Sequence, residues 1–141
     1  MTTPQQKITI YLRNAKKLKC NSKEEIDCLI MRPDTGDLFI NDLKTESIKG
    51  GGSEIKWKLE HGSGISEITE IKEKDKKVPL FQYEPVAGEK GSMVTELVEN
   101  YTGEEGPIIE GEYYIQYMLD DGKETIVEID PFIRIPPTRK G

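Results

Sequence analysis

Strict alternation of apolar and polar residues constrains the fold of this chain more than any other feature. It is clearest over 54–60, where Ile55, Trp57 and Leu59 alternate with four charged residues. Successive side chains of a β-strand point to opposite faces of the sheet, so this segment predicts a strand with one face on a core and the other in water. We therefore expect Trp57 in the core.

The same reasoning predicts further strands along the chain. Their expected positions are 7–13, 26–31, 38–40, 65–72, 78–83, 93–98, 112–119 and 125–135. The three-residue spacing of Ile65, Ile68 and Ile71 suits a helical turn or a bulged strand, and the neighbouring β pattern favours the strand. Pro79 makes 78–83 an edge strand, because proline donates no ladder hydrogen bond.

Turn residues predict how some of these strands connect. Pro33, Asp34, Gly36 and Asp37 predict a turn that makes 26–40 a hairpin. Asp121-Gly122 lies between two alternating runs and predicts a second hairpin near the C-terminus. Short strands with frequent turns, and no helix longer than two turns, favour a β-sandwich or a barrel over an α/β fold. A chain of 141 residues suits one domain, which we place at 1–135, with 136–141 as a flexible C-terminal tail.

Two C-terminal segments carry a resemblance to a known class of domain. Residues 111–117, Gly-Glu-Tyr-Tyr-Ile-Gln-Tyr, and residues 130–135, Asp-Pro-Phe-Ile-Arg-Ile, resemble the closing hairpin of small bacterial immunoglobulin-like or cupredoxin-like sandwich domains. The resemblance covers about a third of the chain and implies an all-β, immunoglobulin-like antiparallel β-sandwich of eight to nine short strands. The resemblance assigns a functional role to no residue of this chain.

Histidine and cysteine are too scarce for most catalytic and metal chemistry. The chain has one histidine, His61, and two cysteines, Cys20 and Cys28. Blue copper requires two histidines and a thiolate, and structural zinc requires four ligands, so we expect no cofactor. His61 lies in a predicted turn, and nothing in the sequence supplies the nucleophile and third group of a hydrolase, so we expect no enzyme. Cys28 alternates with Ile26 and Ile30, which predicts a reduced cysteine in the core.

Charge is distributed unevenly along the chain. The formal charge is −6, and residues 84–130 contain 13 acidic side chains against Lys90 and Lys123. This region would repel phosphate backbones, which argues against nucleic-acid binding. It would attract a basic protein, or simply keep a β protein soluble. No export signal or membrane span is visible, so we expect a cytoplasmic protein that binds no membrane.

These observations favour a non-enzymatic module that binds another protein through a sheet face, a strand edge or the acidic region 84–130. An adaptor, a regulator and an inhibitor or immunity-type protein all belong to this class. The candidate binding residues are exposed tyrosines and acids: Tyr83, Glu96, Glu99, Tyr101, Glu104, Glu105 and Tyr114. The alternative is a sandwich that binds carbohydrate or calcium through its aromatics or its loop carboxylates. The oligomeric state is left open.

Overall fold

The computed structural model of the chain describes residues 7–18, 24–33, 38–41, 44–47, 52–74, 79–98 and 108–135. These residues form eleven strands and one turn of 3-10 helix, so the predicted all-β class is confirmed. The strands are β1 (Lys7–Leu18), β2 (Glu25–Pro33), β3 (Leu38–Asn41), β4 (Lys44–Ser47), β5 (Glu54–Leu59), β6 (Ile65–Glu73), β7 (Val86–Ala87), β8 (Met93–Glu96), β9 (Ile109–Leu119), β10 (Ile126–Ile129) and β11 (Phe132–Ile135). The 3-10 turn, Glu89–Gly91, joins β7 to β8.

The strands form two sheets packed face to face. The first sheet has the order β2-β1-β5-β8-β7. The second has the order β10-β9-β11-β4-β3, and β6 pairs with the other edge of β9. Strands β10 and β11 pair with successive parts of β9, so together they act as one interrupted partner strand. Among the described residues, the sandwich architecture predicted from the alternating strands is therefore confirmed.

Both sheets are mixed, which corrects the expectation of an antiparallel sandwich. Strand β1 runs parallel to β5, with Ile10 opposite Trp57, and β11 runs parallel to β4. Alternation reports which face of a strand is buried but carries no information about the direction of its neighbour. The immunoglobulin-like resemblance is untested by these pairings and stays a prediction.

The core lies between the sheets and uses the faces that alternation predicts. Trp57 and Ile55 of β5 are fully buried, as expected. The inward residues of β9 are Tyr113, Ile115, Tyr117 and Leu119, and those of β1 are Ile8, Ile10 and Leu12. The Trp57 ring packs edge-on against Phe81, with ring centroids 5.7 Å apart, and donates a hydrogen bond from Nε1 to the Tyr113 hydroxyl at 3.3 Å. These contacts bring both sheets into one continuous core.

Strand β6 confirms the bulged-strand interpretation. Its register against β9 shifts between Ile65 and Glu67 and again between Ile68 and Glu70. Each bulge inserts an extra residue, so side chains three positions apart point to the same side. Ile65, Ile68 and Ile71 are consequently all buried.

The predicted hairpin over 26–40 is wrong. Strand β2 pairs with β1 in the first sheet, whereas β3 pairs with β4 in the second. A turn signal shows that the chain reverses, but not that the two flanking strands bond to each other. The second predicted hairpin is confirmed, since β9 and β10 pair across the turn that contains Gly122, whose φ of +72° suits glycine.

The predicted core position of Cys28 is also wrong. Cys28 is a free, half-buried cysteine, and its neighbour Ile26 on the same face is 45 % exposed. The opposite face of β2 supplies the core residues Leu29 and Met31. Both faces of this strand are partly apolar, so alternation alone does not determine which face is buried.

Other boundaries differ from the predicted ones. Strand β1 continues to Leu18, beyond its predicted end at residue 13, and the alternation pattern did not indicate β4 or β7. Of the predicted edge strand 78–83, residues 79–83 are described and form a single bridge, Phe81 to Leu97, rather than a strand. The predicted tail, 136–141, lies outside the described residues.

Two successive side-chain hydrogen bonds link the two sheets through Asn14. The Tyr117 hydroxyl donates to Asn14 Oδ1 at 2.8 Å, and Asn14 Nδ2 donates to Asp27 Oδ1 at 3.0 Å. Asn14 thereby gives hydrogen-bond partners to a buried phenol and to an inward-facing carboxylate of β2. Such groups are costly when they lose their partners.

We expect Asn14→Ala to lower the free energy of unfolding by about 1–3 kcal/mol, because it leaves both the phenol and the carboxylate without this partner. Urea unfolding monitored by circular dichroism measures the change. Lys16→Ala is the matched control on the same exposed end of β1 and should change stability by less than about 0.5 kcal/mol. Equal losses in the two variants would contradict the role of Asn14.

Candidate functional site on the outer face of the second sheet

The structure separates the predicted binding residues. Tyr83 and Glu96 lie at the rim of the first sheet, where the Tyr83 carbonyl accepts a hydrogen bond from Thr95 Oγ1 at 2.5 Å. Tyr114 lies on β9 in the second sheet. The remaining four, Glu99, Tyr101, Glu104 and Glu105, lie outside the described residues. The predicted set therefore does not form one site in the described part of the chain.

Tyr83 and Glu96 share a local environment. Tyr83 is 44 % exposed, and Glu96 is paired with Glu54 of β5. Partial burial, followed by the negative charges of Glu96 and Glu54, raises the pKa of the Tyr83 phenol. This rim of the first sheet has one tyrosine and two acidic residues. The outer face of the second sheet has more candidate binding residues.

Tyr114 lies on the outer face of the second sheet because its neighbours in β9 face inward. Tyr113 and Ile115 are fully buried, and the alternation of the strand turns Tyr114 and Gln116 the other way. Antiparallel pairing places Lys72 of β6 opposite Tyr114. Tyr114 therefore faces away from the buried Tyr113 and Tyr117.

The Tyr114 hydroxyl is held by a carboxylate from the neighbouring strand. It donates to Glu70 Oε1 at 2.5 Å, and Lys72 Nζ lies 3.1 Å from the same oxygen. The tyrosine hydrogen bond, and then Lys72, lower the pKa of Glu70. Glu70, followed by partial burial and the charges of Glu128 and Glu84, raises the pKa of Tyr114 to about 12. Around neutral pH this cluster is a neutral phenol bound to an ionised carboxylate.

Carboxylates from three strands lie on the same outer face of the sheet as this cluster, and we call this surface the acidic face. Its members are Glu67 and Glu70 of β6, Glu110 and Glu112 of β9, and Glu128 of β10. Register places Glu128 and Glu70 on either side of Gln116. Glu67 lies opposite Met118, and Met118 lies opposite Ile126, which is 47 % exposed. The face therefore combines carboxylates with accessible apolar surface.

Three basic residues on this side of the sheet are paired with acids. Lys72 pairs with Glu70, Lys74 Nζ lies 2.8 Å from Asp130 Oδ2, and Arg134 Nε lies 3.1 Å from Glu110 Oε2. A further lysine, Lys44, is exposed on β4, where it lies opposite Phe132 of β11. Within the described part of the chain, no basic side chain lies in an ion pair with Glu67, Glu112 or Glu128. These three carboxylates give the acidic face its excess negative charge.

Sequence reasoning missed the contribution of β6. The acidic region was placed at 84–130, and Glu67 and Glu70 lie outside it, in a part of the chain without net charge. Only the pairing of β6 with β9 brings them beside Tyr114 and Glu128. Their exposed position between buried isoleucines is the one signal in the sequence that could have indicated them.

A cleft opens beside the acidic face, and we call it the proline cleft. It has a volume of about 380 Å³ and is lined by Lys72, Glu73, Pro79, Phe81, Glu84 and Pro85. Lys72 belongs to the Tyr114 cluster, and the negative charge of Glu84 acts on both Lys72 and Tyr114. The cleft and the acidic face are therefore neighbours.

The described residues give less support to the alternative ligands, carbohydrate and calcium. Trp57 is fully buried and offers no ring to a sugar. No group of three or more His, Cys, Asp or Glu side chains among the described residues could hold a metal ion. The loop acids that motivated the calcium hypothesis include Glu104 and Glu105, outside the described residues, so that hypothesis stays a prediction.

Comparison with known proteins adds no assignment. The sequence matches no protein-family model, and a search of curated proteins finds no relative. Within the described ranges, none of the secondary structure is a helix long and apolar enough to span a bilayer.

Proposed function

We propose that this protein is a non-enzymatic interaction module that binds a basic segment of another protein through the acidic face. The observation that carries the proposal is that five carboxylates from three strands share the outer face of the second sheet with Tyr114, and that Glu67, Glu112 and Glu128 lie in no ion pair within the described residues. We further propose that it works in the cytoplasm, where the free Cys28 would stay reduced, and that it binds neither nucleic acid nor membrane.

Composition and exposure both suit such a role. Tyr114 is anchored by Glu70, so a partner that packs on its ring meets a side chain whose position is already set. Preorganised aromatic side chains are favoured at binding hot spots because little conformational entropy is lost when they are covered. Ile126 and Met118 add apolar area beside the carboxylates. Negative potential over this area would speed association with a cationic partner.

Catalysis finds no comparable support. The only histidine, His61, lies exposed in the turn between β5 and β6. The carboxylates of the acidic face lie on open sheet surface, whereas general acid catalysis requires a carboxyl group with a raised pKa in a cleft. The pKa of Glu70 is instead lowered. A binding surface fits these groups better than an active site does.

We expect the variant with Glu67→Gln, Glu112→Gln and Glu128→Gln to bind a fluorescein-labelled hexa-arginine peptide about tenfold more weakly than the wild type at low salt. Each exposed ion pair contributes at most about 1 kcal/mol, and three such losses together account for this change. Fluorescence anisotropy measures the affinity, and rising salt should reduce the difference between the proteins.

A second triple variant separates a local site from the effect of net charge. Glu24→Gln, Glu54→Gln and Glu89→Gln remove the same charge from the first sheet and the segments next to its strands. This control should retain most of the affinity for the peptide. If both variants lose affinity equally, the protein attracts cations through its overall charge, and the acidic face is not a binding site.

A further inference from the structure

The proline cleft has a rigid apolar floor. Phe81 and Pro85 are buried within it, and the Phe81 ring packs edge-on against both Trp57 and Tyr113, with ring centroids 5.7 and 5.6 Å apart. These are core contacts, so the floor is fixed by the same packing that stabilises the sandwich. A ligand would find the floor already formed.

Residues 79–85, which form one side of the cleft, are hydrogen-bonded to both sheets. The backbone N–H of Leu80 donates to Glu73 Oε2 of β6 at 3.1 Å, and its carbonyl accepts from Val98 N at 3.0 Å. Gln82 N and Nε2 donate to the carbonyls of Glu96 and Leu97 at 2.8 and 3.1 Å. The segment therefore holds its position in the absence of a regular strand.

Among the described residues, the rim of the cleft carries mainly negative charge. Of these residues, Glu73 and Glu84 line the cleft together with the cation Lys72, and Lys72 is already bound to Glu70 at 3.1 Å. Glu70 and Lys72 largely cancel, so the charges of Glu73 and Glu84 determine the potential that a ligand meets. An anionic group would be repelled from this position.

Apolar floor and acidic rim together match one kind of side chain. Arginine has an apolar stem that packs on rings and a planar guanidinium that donates several hydrogen bonds to carboxylates. A volume of about 380 Å³ lies at the lower end of the range for small-ligand pockets, about 300–1,000 Å³. An apolar side chain would fill the floor but bring no cation to the rim carboxylates.

We propose that the proline cleft binds one arginine side chain of the basic partner, with the stem over Phe81 and Pro85 and the guanidinium at Glu73 and Glu84. This inference rests on the proposed function, because the cleft adjoins the acidic face through Lys72 and Glu84. The acidic face then supplies general attraction, and the cleft supplies selection for arginine at one position of the partner.

The test uses a probe with a single cation. N-acetyl-arginine amide is titrated into the ¹⁵N-labelled full chain, and the matched probe is N-acetyl-citrulline amide, which has the same shape without the charge. The arginine probe should shift the backbone amides of Lys72, Glu73, Leu80, Phe81, Gln82 and Glu84 in a saturable way. The citrulline probe should bind at least about fivefold more weakly, as expected for the loss of one ion pair.

Two variants of equal charge complete the test. Glu84→Gln, at an exposed rim position, should weaken the arginine probe about fivefold, whereas Glu89→Gln, in the 3-10 turn outside the cleft, should leave its affinity unchanged. Weak shifts scattered over the surface, or equal effects of the two variants, would overturn the cleft assignment.

The hexa-arginine titration keeps the two proposals distinguishable. If the peptide shifts amides of the acidic face while the single-arginine probe fails to reach the cleft, only the present inference is wrong. If the single-arginine probe saturates the cleft while the triple variant of the acidic face retains full peptide affinity, the cleft assignment stands and the proposed function fails.

Discussion

Replacing Trp57 by alanine is expected to lower the free energy of unfolding by about 3–5 kcal/mol. The side chain is fully buried, contacts the rings of Phe81 and Tyr113, and donates a hydrogen bond to the Tyr113 hydroxyl. Truncation removes all of these contacts and leaves a cavity that neighbours in two sheets cannot easily fill. Urea unfolding monitored by circular dichroism measures the loss.

A matched substitution tests whether the burial of Trp57 causes this loss of stability. Tyr83→Ala also removes an aromatic ring, but from a position that is 44 % exposed, and it should cost no more than about 1 kcal/mol. Tryptophan emission of the native wild type should be shifted to the blue, as for an indole out of contact with water. Emission at the wavelength of a solvated indole, or equal destabilisation by both substitutions, would contradict the placement of Trp57 in the core.

Stability is expected to fall steeply above about pH 10, the ordinary pKa of tyrosine in an unfolded chain. Burial raises the pKa of both Tyr113 and Tyr117 well above this value, and the nearby charges of Asp27 and Cys28 add to the effect at Tyr117. Below about pH 10 each phenol is protonated in both the folded and the unfolded protein, so these two groups do not make the stability depend on pH. Above it, the unfolded chain releases protons that the folded protein retains, and unfolding becomes more favourable.

Tyr113 and Tyr117 each contribute a limiting slope of about 1.4 kcal/mol per pH unit, approached near about pH 11, and the pair contributes about 2.7 kcal/mol per pH unit. Tyr114, whose pKa is also raised in the folded protein, adds to the total slope in every variant. Urea midpoints measured from about pH 9 to about pH 11 give this slope. Tyr113→Phe retains the ring and removes one of these two ionisable groups. The part of the slope that Tyr113 and Tyr117 contribute should therefore be about half as steep in this variant. A variant with an unchanged slope would show that Tyr113 ionises in the folded protein and is not enclosed by the core.

The acidic face shows how far a linear charge pattern goes towards locating a charged surface. The excess of acid over 84–130 includes Glu110, Glu112 and Glu128 of this face, and alternation in β9 turns Tyr114 outward. It also included Glu96, which lies on the other sheet, and it omitted Glu70, the residue that holds the Tyr114 hydroxyl. Distance along the chain does not measure distance across a sheet, because any two strands can be neighbours.

The sequence by itself determined the all-β class and the buried faces of β1, β5 and β9. Over 7–13, 54–60 and 112–119, one alternate set of residues is uniformly apolar, so burying the other set would place charges in the core. Local pattern suffices wherever the two faces differ this strongly. It failed at β2, where Ile26 and Ile30 face out while Asp27 faces in and is bonded to Asn14.

Only the tertiary structure decided which strands pair, in which direction, and which charges meet. The parallel pairing of β1 with β5, and the separation of β2 and β3 into different sheets, depend on contacts between residues far apart in the chain. The same holds for Glu70 at Tyr114 and for Glu84 at the proline cleft. Backbone hydrogen bonds between strands are the same for every sequence, so partner choice depends on how all the buried faces pack together, and no single segment contains that information.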